Sequence, residues 1–147
     1  MSSLPRRILI VANRTASTPT LLDDVRRRAR SGPHHFTLLV PEPADRKTAD
    51  WTLESALPLL QRSAGGPVEG ITGGRGPFEA VREAVQHGSF DEIIISTLPA
   101  RTSRWLRRDL PRRVQSLGLP VTVITPEKNF IPSYLPEGIG GPGGGIQ

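Results

Sequence analysis

The chain has 147 residues, 36% of them hydrophobic and 22% charged, which suits one soluble globular domain with a core of its own. It contains no cysteine, so disulfides and thiolate metal sites are excluded and nothing supports secretion. The net charge is +5, with 17 arginines against 2 lysines, a balance that suits anionic partners or, equally, a solvated charged surface.

In chain order, Met1 to Arg7 carries two arginines and precedes the apolar run Ile8–Ala12. That run is too short for a secretory core of about seven residues or a membrane span of about twenty. No targeting segment and no span are read, and the expected compartment is the cytoplasm. Ile8, Leu9, Ile10 and Val11 are continuous rather than alternating, the mark of a strand covered on both faces. From Thr18 to Gly32 the pattern is helical. Thr18 is placed to cap, Pro19 suits the first turn, and Leu21, Leu22, Val25 and Ala29 make one apolar stripe that Gly32 ends. Phe36–Val40 reads as a second strand. A helix is expected over Asp50–Ser63, with Trp51, Leu53, Ala56, Leu57 and Leu60 as its apolar residues, kinked or shortened by Pro58. Val68–Thr72 is the third strand. Pro77–His87 is a helix presenting Phe78, Val81, Ala84 and Val85, with Gly88 as its cap. Glu92–Thr97, with Ile93, Ile94 and Ile95, is the fourth strand. Ser103–Leu117 carries Trp105, Leu106, Leu110, Val114 and Leu117, but Pro111 divides it. Two helical pieces are expected, with Asp109 as N-cap of the second. Val121–Thr125 is the fifth strand.

Strand and helix alternate throughout, the pattern of a doubly wound α/β domain with a parallel sheet and helices on both faces. This domain is assigned to residues 1–125. Residues 126–147 form a Gly/Pro-rich tail, flexible or docking on a partner, in which Phe130, Ile131, Tyr134 and Leu135 are the apolar anchors.

In such sheets ligands bind beyond the carboxyl ends of the strands, where the strand order reverses. The residues to watch are therefore Asn13, Arg14 and Thr15 after strand one and Pro41, Glu42 and Pro43 after strand two. After strand three come Gly73, Gly74, Arg75 and Gly76. After strand four the run Ser96 to Ser103 includes Thr97, Pro99 and Arg101. The glycines at 73, 74 and 76 precede a helix N-terminus, which favours anions, but they match neither GxxxxGK[ST] nor GxGxxG and equally make a tight turn. Arginines at 101, 104, 107, 108, 112 and 113 are the densest charge feature. Arg104, Arg107 and Arg108 share a helix face by spacing, as a phosphate or nucleic-acid clamp or as a solvent face. Trp105 falls among apolar positions, so base stacking is not indicated there. His34, His35 and His87 have no metal-site spacing. Ser103 and Ser133 lack a nucleophile-elbow context. No catalytic constellation is present.

Several stretches resemble the universal stress protein family. Arg7-Ile8-Leu9-Ile10-Val11-Ala12-Asn13 resembles its first strand, and Gly76-Pro77-Phe78-Glu79-Ala80-Val81 the start of its third helix. Asp91 to Thr97 resembles its fourth strand, and Leu110 to Ile124 its last helix and fifth strand. The resemblance spans Arg7 to Thr125. It implies a five-stranded parallel sheet in order 3-2-1-4-5 and a homodimer, often through the fifth strand. Nucleotide-binding members carry a G-2x-G-9x-G-[ST] motif after strand four. Here those positions are Ser96, Pro99, Asp109 and Leu110. All three glycines, which let backbone approach phosphate, are replaced. Pro99 has no N–H to donate, and Asp109 is expected to cap the helix and repel phosphate. The family's Asp after strand one is Asn13, whose amide can still bond a base edge. Its backbone contact after strand two maps near Val40 or Pro41.

The ligand candidates are therefore Ala12, Asn13, Arg14, Thr15, Val40, Gly73, Gly74, Ser96, Thr97, Arg101, Ser103 and Arg104. The expected function is a non-catalytic binding or regulatory protein of the universal stress class that does not bind ATP in the usual way. No metal is expected, and an adenine nucleotide or another small anion is the cofactor-like ligand considered. One alternative is weak ATP binding with arginines in place of the glycine loop. Another is nucleic-acid binding through the Arg101–Arg113 face, placed last because no nucleic-acid motif accompanies it.

Overall fold

The computed structural model describes residues 4–41, 46–73, 76–99, 103–126 and 129–130. The chain forms one sheet in the order β3-β2-β1-β4-β5-β6. Its strands are β1 (Arg6–Val11), β2 (His34–Pro41), β3 (Val68–Gly73), β4 (Glu92–Ser96), β5 (Val121–Ile124) and β6 (Asn129–Phe130). The first five pair in parallel in the expected order. In the central register Ile10 lies between Leu38 of β2 and Ile94 of β4.

The continuous apolar runs become strands because both faces are covered. On one face Ile8, Ile10, Phe36, Leu38, Val40 and Ile94 pack under α1 (Pro19–Ser31) and α2 (Arg46–Ala64), which contribute Leu21, Val25, Ala56 and Leu60. On the other, Leu9, Val11, Leu39, Ile93 and Ile95 pack under α3 (Pro77–His87) and α5 (Leu110–Gln115), through Ala80, Val81, Leu110 and Val114. A one-turn helix, α4 (Arg104–Arg107), precedes α5. The break falls where Pro111 requires it, with Asp109 at the N-cap and proline in the first turn.

Four expectations need correction. Helix α2 begins at Arg46 and runs through Pro58 to Ala64, so the proline does not shorten it. Residue 58 is exposed, where its ring and its missing N–H disturb only the solvent side. Trp51, though part of this helix's apolar pattern, is 68% exposed. Thr18 is the N-cap of α1 without a side-chain cap, because its hydroxyl donates to the Thr15 carbonyl instead. The tail begins with β6, antiparallel to β5 at Val123 and Ile124, so the sheet has a sixth strand that apolar patterning did not reveal. Residues 131–147, with Ile131, Tyr134 and Leu135, lie outside the described residues.

At the amino-terminal end of the sheet sits a buried charge network. Arg28 of α1 donates from Nε to Asp24 at 2.6 Å and from Nη1 to Glu92 of β4 at 2.6 Å. Arg6 adds a bond to Glu92 at 3.1 Å, and Arg27 pairs with Asp24. Burial opposes the Arg28 charge, but the hydrogen bonds and charges of Asp24 and Glu92 outweigh it and hold its pKa above the ordinary arginine value. The network fixes α1 against β1 and β4, and so sets where the loop at the other end of α1 projects.

Candidate functional site

After β1 the chain moves outward to β2 and β3, and after β3 it returns to β4 beside β1. The connections leaving β1 and β4 therefore diverge to opposite faces, and a crevice opens above their carboxyl ends. A cleft of about 980 Å³ occupies this point. Its floor is the β1–α1 loop, Asn13 to Ser17, with Ser96, Thr97 and Leu98 after β4. One wall is the amino-terminal half of α2, through Thr48, Trp51, Thr52, Ser55 and Ala56. The other is Ser103 with Arg104, Trp105 and Arg107 of α4.

The floor is tied together by its own hydroxyls. Ser96 is 1% exposed, and its Oγ lies 2.9 Å from Thr15 Oγ1 and 3.2 Å from the Thr15 carbonyl. Thr97 and Ser103 share a hydrogen bond at 2.7 Å. Ser103 Oγ also accepts from the Leu106 amide at 3.0 Å, capping α4. Ser96, Thr97, Thr15 and Ser103 thus hold the β1–α1 loop and α4 to the end of β4. Asn13 is half-buried, and its Nδ2 reaches the Pro41 carbonyl at 3.5 Å, joining the floor to the end of β2.

The charged groups are more open. Arg14, Arg104 and Arg107 are exposed on the cleft, and none has a carboxylate partner among the described residues. The described lining holds no Asp or Glu. Unpaired guanidiniums facing a concave surface with no opposing carboxylate attract anions, and phosphate or carboxylate best, because the planar fork binds them bidentately.

The candidates read from the sequence therefore divide. The structure gathers Asn13, Arg14, Thr15, Ser96, Thr97, Ser103 and Arg104 around one cleft. It leaves Ala12, Val40 and Gly73 out of the lining. Ala12 and Val40 are fully buried in the core, and Gly73 is paired with Pro41 at the end of the β2–β3 ladder. Gly74 and Arg101 lie outside the described residues. The arginine cluster does not form one face. Arg104 and Arg107 face the cleft, Arg108 ends the short helix, Arg112 approaches Asp109 at 3.5 Å, and Arg113 stacks 4.5 Å from the Phe78 ring. Within the single turn of α4 the i, i+3 spacing does bring Arg104 and Arg107 to one side, whereas Arg112 and Arg113 belong to α5.

Asp109 also corrects its expectation. It occupies the N-cap of α5 but makes no side-chain cap. Its backbone is left-handed, with φ 60° and ψ 37°, the one positive φ among the described non-glycine residues. This is the position of the third motif glycine, and a left-handed backbone is one that glycine adopts without strain.

Reading by sequence missed the α2 wall. Thr48, Trp51, Thr52 and Ser55 recur at helical spacing beside the buried Ala56 and Leu60, and that small, hydroxylated stripe was the available signal. The chain's 2 tryptophans both line the cleft, Trp105 while also packed against the core as its apolar position suggests.

No family model matches the chain, and no curated protein matches it. Solved structures do. The universal stress protein from Archaeoglobus fulgidus in complex with dAMP matches with TM-score 0.56 and 17% identity, over 84% of this chain and 98% of that one. A second structure of universal stress protein from the same organism gives TM-score 0.54 and 16% identity, over 82% and 93%. The chain has the universal stress protein fold.

Proposed function

We propose that this chain is a non-catalytic binding protein whose cleft takes a small anionic ligand with a planar ring, a nucleoside monophosphate first. The observation that carries this is the convergence of Arg14, Arg104 and Arg107 with Asn13 and Trp105 on one cleft at the switch point of the sheet. Guanidiniums suit the phosphate, an amide side chain suits a base edge, and an indole suits a ring. That a protein of the same fold was solved in complex with dAMP supports the choice of ligand. Usual ATP binding is not part of the proposal, because Ser96, Pro99 and Asp109 stand where glycines would admit a polyphosphate. A regulatory role in the cytoplasm accompanies this reading. So does a homodimer, although pairing through β5 requires β6 to release Val123 and Ile124; light scattering of the full chain measures this.

The test is calorimetric titration with AMP, dAMP and ATP plus Mg²⁺. The expected result is micromolar AMP or dAMP binding that weakens about tenfold or more in Arg104→Ala/Arg107→Ala, since each charge-assisted bond contributes about 1.5–3 kcal/mol. No heat at millimolar nucleotide refutes the reading. The same three arginines favour a second one, ATP held weakly in place of the glycine loop, and ATP binding tighter than AMP would select it. Phosphate release from ATP above background would overturn the non-catalytic assignment.

A further inference from the structure

Trp51 has no role in a mononucleotide site built around α4. It stands on α2, 68% exposed, while its own helix buries Ala56 and Leu60. Leaving the largest apolar side chain in water forgoes about 2 kcal/mol of burial, and among the described residues only Leu4 is a comparably exposed large hydrophobic. Unlike Leu4, Trp51 lines the cleft. Trp105 lines the same cleft from α4, part-buried against the core on the other face of the sheet. The two indoles therefore belong to opposite walls, with Arg14 on the floor and Arg104 and Arg107 on the α4 wall with Trp105. The cleft volume of about 980 Å³ is at the top of the usual range for small-ligand sites, roughly 300–1,000 Å³.

We propose that the cleft accommodates two bases rather than one: a dinucleotide whose bases stack on Trp105 and Trp51 and whose phosphates lie along Arg14, Arg104 and Arg107. This rests on the nucleotide reading above and specifies its ligand. Three guanidiniums with no carboxylate partner among the described residues exceed what one phosphomonoester needs. A dinucleotide carries its phosphates between and beside its two rings, and the lining supplies both two rings and three positive charges. Base–aromatic stacking tolerates any base because each has a π-face.

The chain's 2 tryptophans make the test direct. Trp105→Phe leaves Trp51 as the sole reporter, and Trp51→Phe leaves Trp105. Each is titrated with AMP and with the 5′-phosphorylated diadenylate pApA. Expected are quenching of Trp105 by both ligands, quenching of Trp51 by pApA but not AMP, and pApA affinity at least tenfold above AMP, within the range for one added stacked base. In Trp51→Ala the ratio of pApA to AMP affinity falls to about one. If AMP binds but pApA binds no tighter, or leaves Trp51 silent, the second base site is refuted and the mononucleotide reading stands. If neither binds, the nucleotide reading itself has failed. If the oligonucleotide (dA)10 binds more tightly than pApA, with affinity falling steeply with salt, the dinucleotide is overturned in favour of single-stranded nucleic acid.

Discussion

Arg28→Met removes the centre of the charge network that seats α1 on the sheet. The methionine keeps the aliphatic stem and loses two charge-assisted bonds of 2.6 Å, to Asp24 and to Glu92. The carboxylates left behind are only 5% and 11% exposed, so water cannot replace the guanidinium. Removing one partner of a buried ion pair costs about 3–5 kcal/mol. Here the cost is reduced, because Arg27 still reaches Asp24 and Arg6 still reaches Glu92. Both of those partners are about half-exposed or more, 64% and 47%, and are screened accordingly. The expected loss is about 3 kcal/mol. With a urea m-value of roughly 2 kcal/mol/M for this size, the midpoint should fall by about 1.5 M. The melting temperature should fall by roughly 6–12 °C. Arg28→Lys should lose less, since one ammonium keeps the charge but not the fork. The apolar triple variant Asp24→Leu/Arg28→Met/Glu92→Met should recover part of the loss, because no buried charge is left unpaired. Because the Arg28 pKa is raised, its contribution is complete below the ordinary arginine range and is lost only above it; titration of Arg28 therefore leaves stability flat from neutral to mildly alkaline pH. A loss under about 1 kcal/mol for Arg28→Met, the scale of a surface pair, would refute the account.

Two further predictions concern the loop after β4. Asp109→Gly relieves a left-handed residue that costs about 1 kcal/mol, against about 0.5–1 kcal/mol of added unfolded-chain entropy, so stability should hold or rise slightly. A loss above about 1 kcal/mol in urea would instead show that the carboxylate caps α5. Ser103→Ala removes the cap on Leu106 and strands the buried Thr97 hydroxyl. It should cost about 2 kcal/mol and speed amide exchange over Arg104–Arg107; unchanged exchange there would contradict the capping role.

The sequence by itself determined the five parallel strands, their order through the resemblance, and the two-piece helix around Pro111. It could do so because these are local signals. A strand buried on both faces must be continuously apolar, as Ile8–Val11 and Ile93–Ile95 are, and a proline in mid-helix must be placed at a new start. The floor of the cleft was legible for a related reason, since residues that follow parallel strands are brought to one edge whatever their chemistry. The opposing walls were not. Trp51 and Trp105 sit at apolar positions of amphipathic segments, and nothing in helical spacing distinguishes a tryptophan packed inward from one on the rim. Whether Ser96 and Thr97 face a ligand or bond Thr15 and Ser103 depends on partners 81 and 6 residues away. Asp109 shows the limit most directly. Its identity argued for a cap, but the turn between α4 and α5 takes a positive φ there and the side chain makes no cap, which neither residue type nor spacing foretells. Only the tertiary structure, by closing the chain around the reversal between β1 and β4, decided which residues share the cleft.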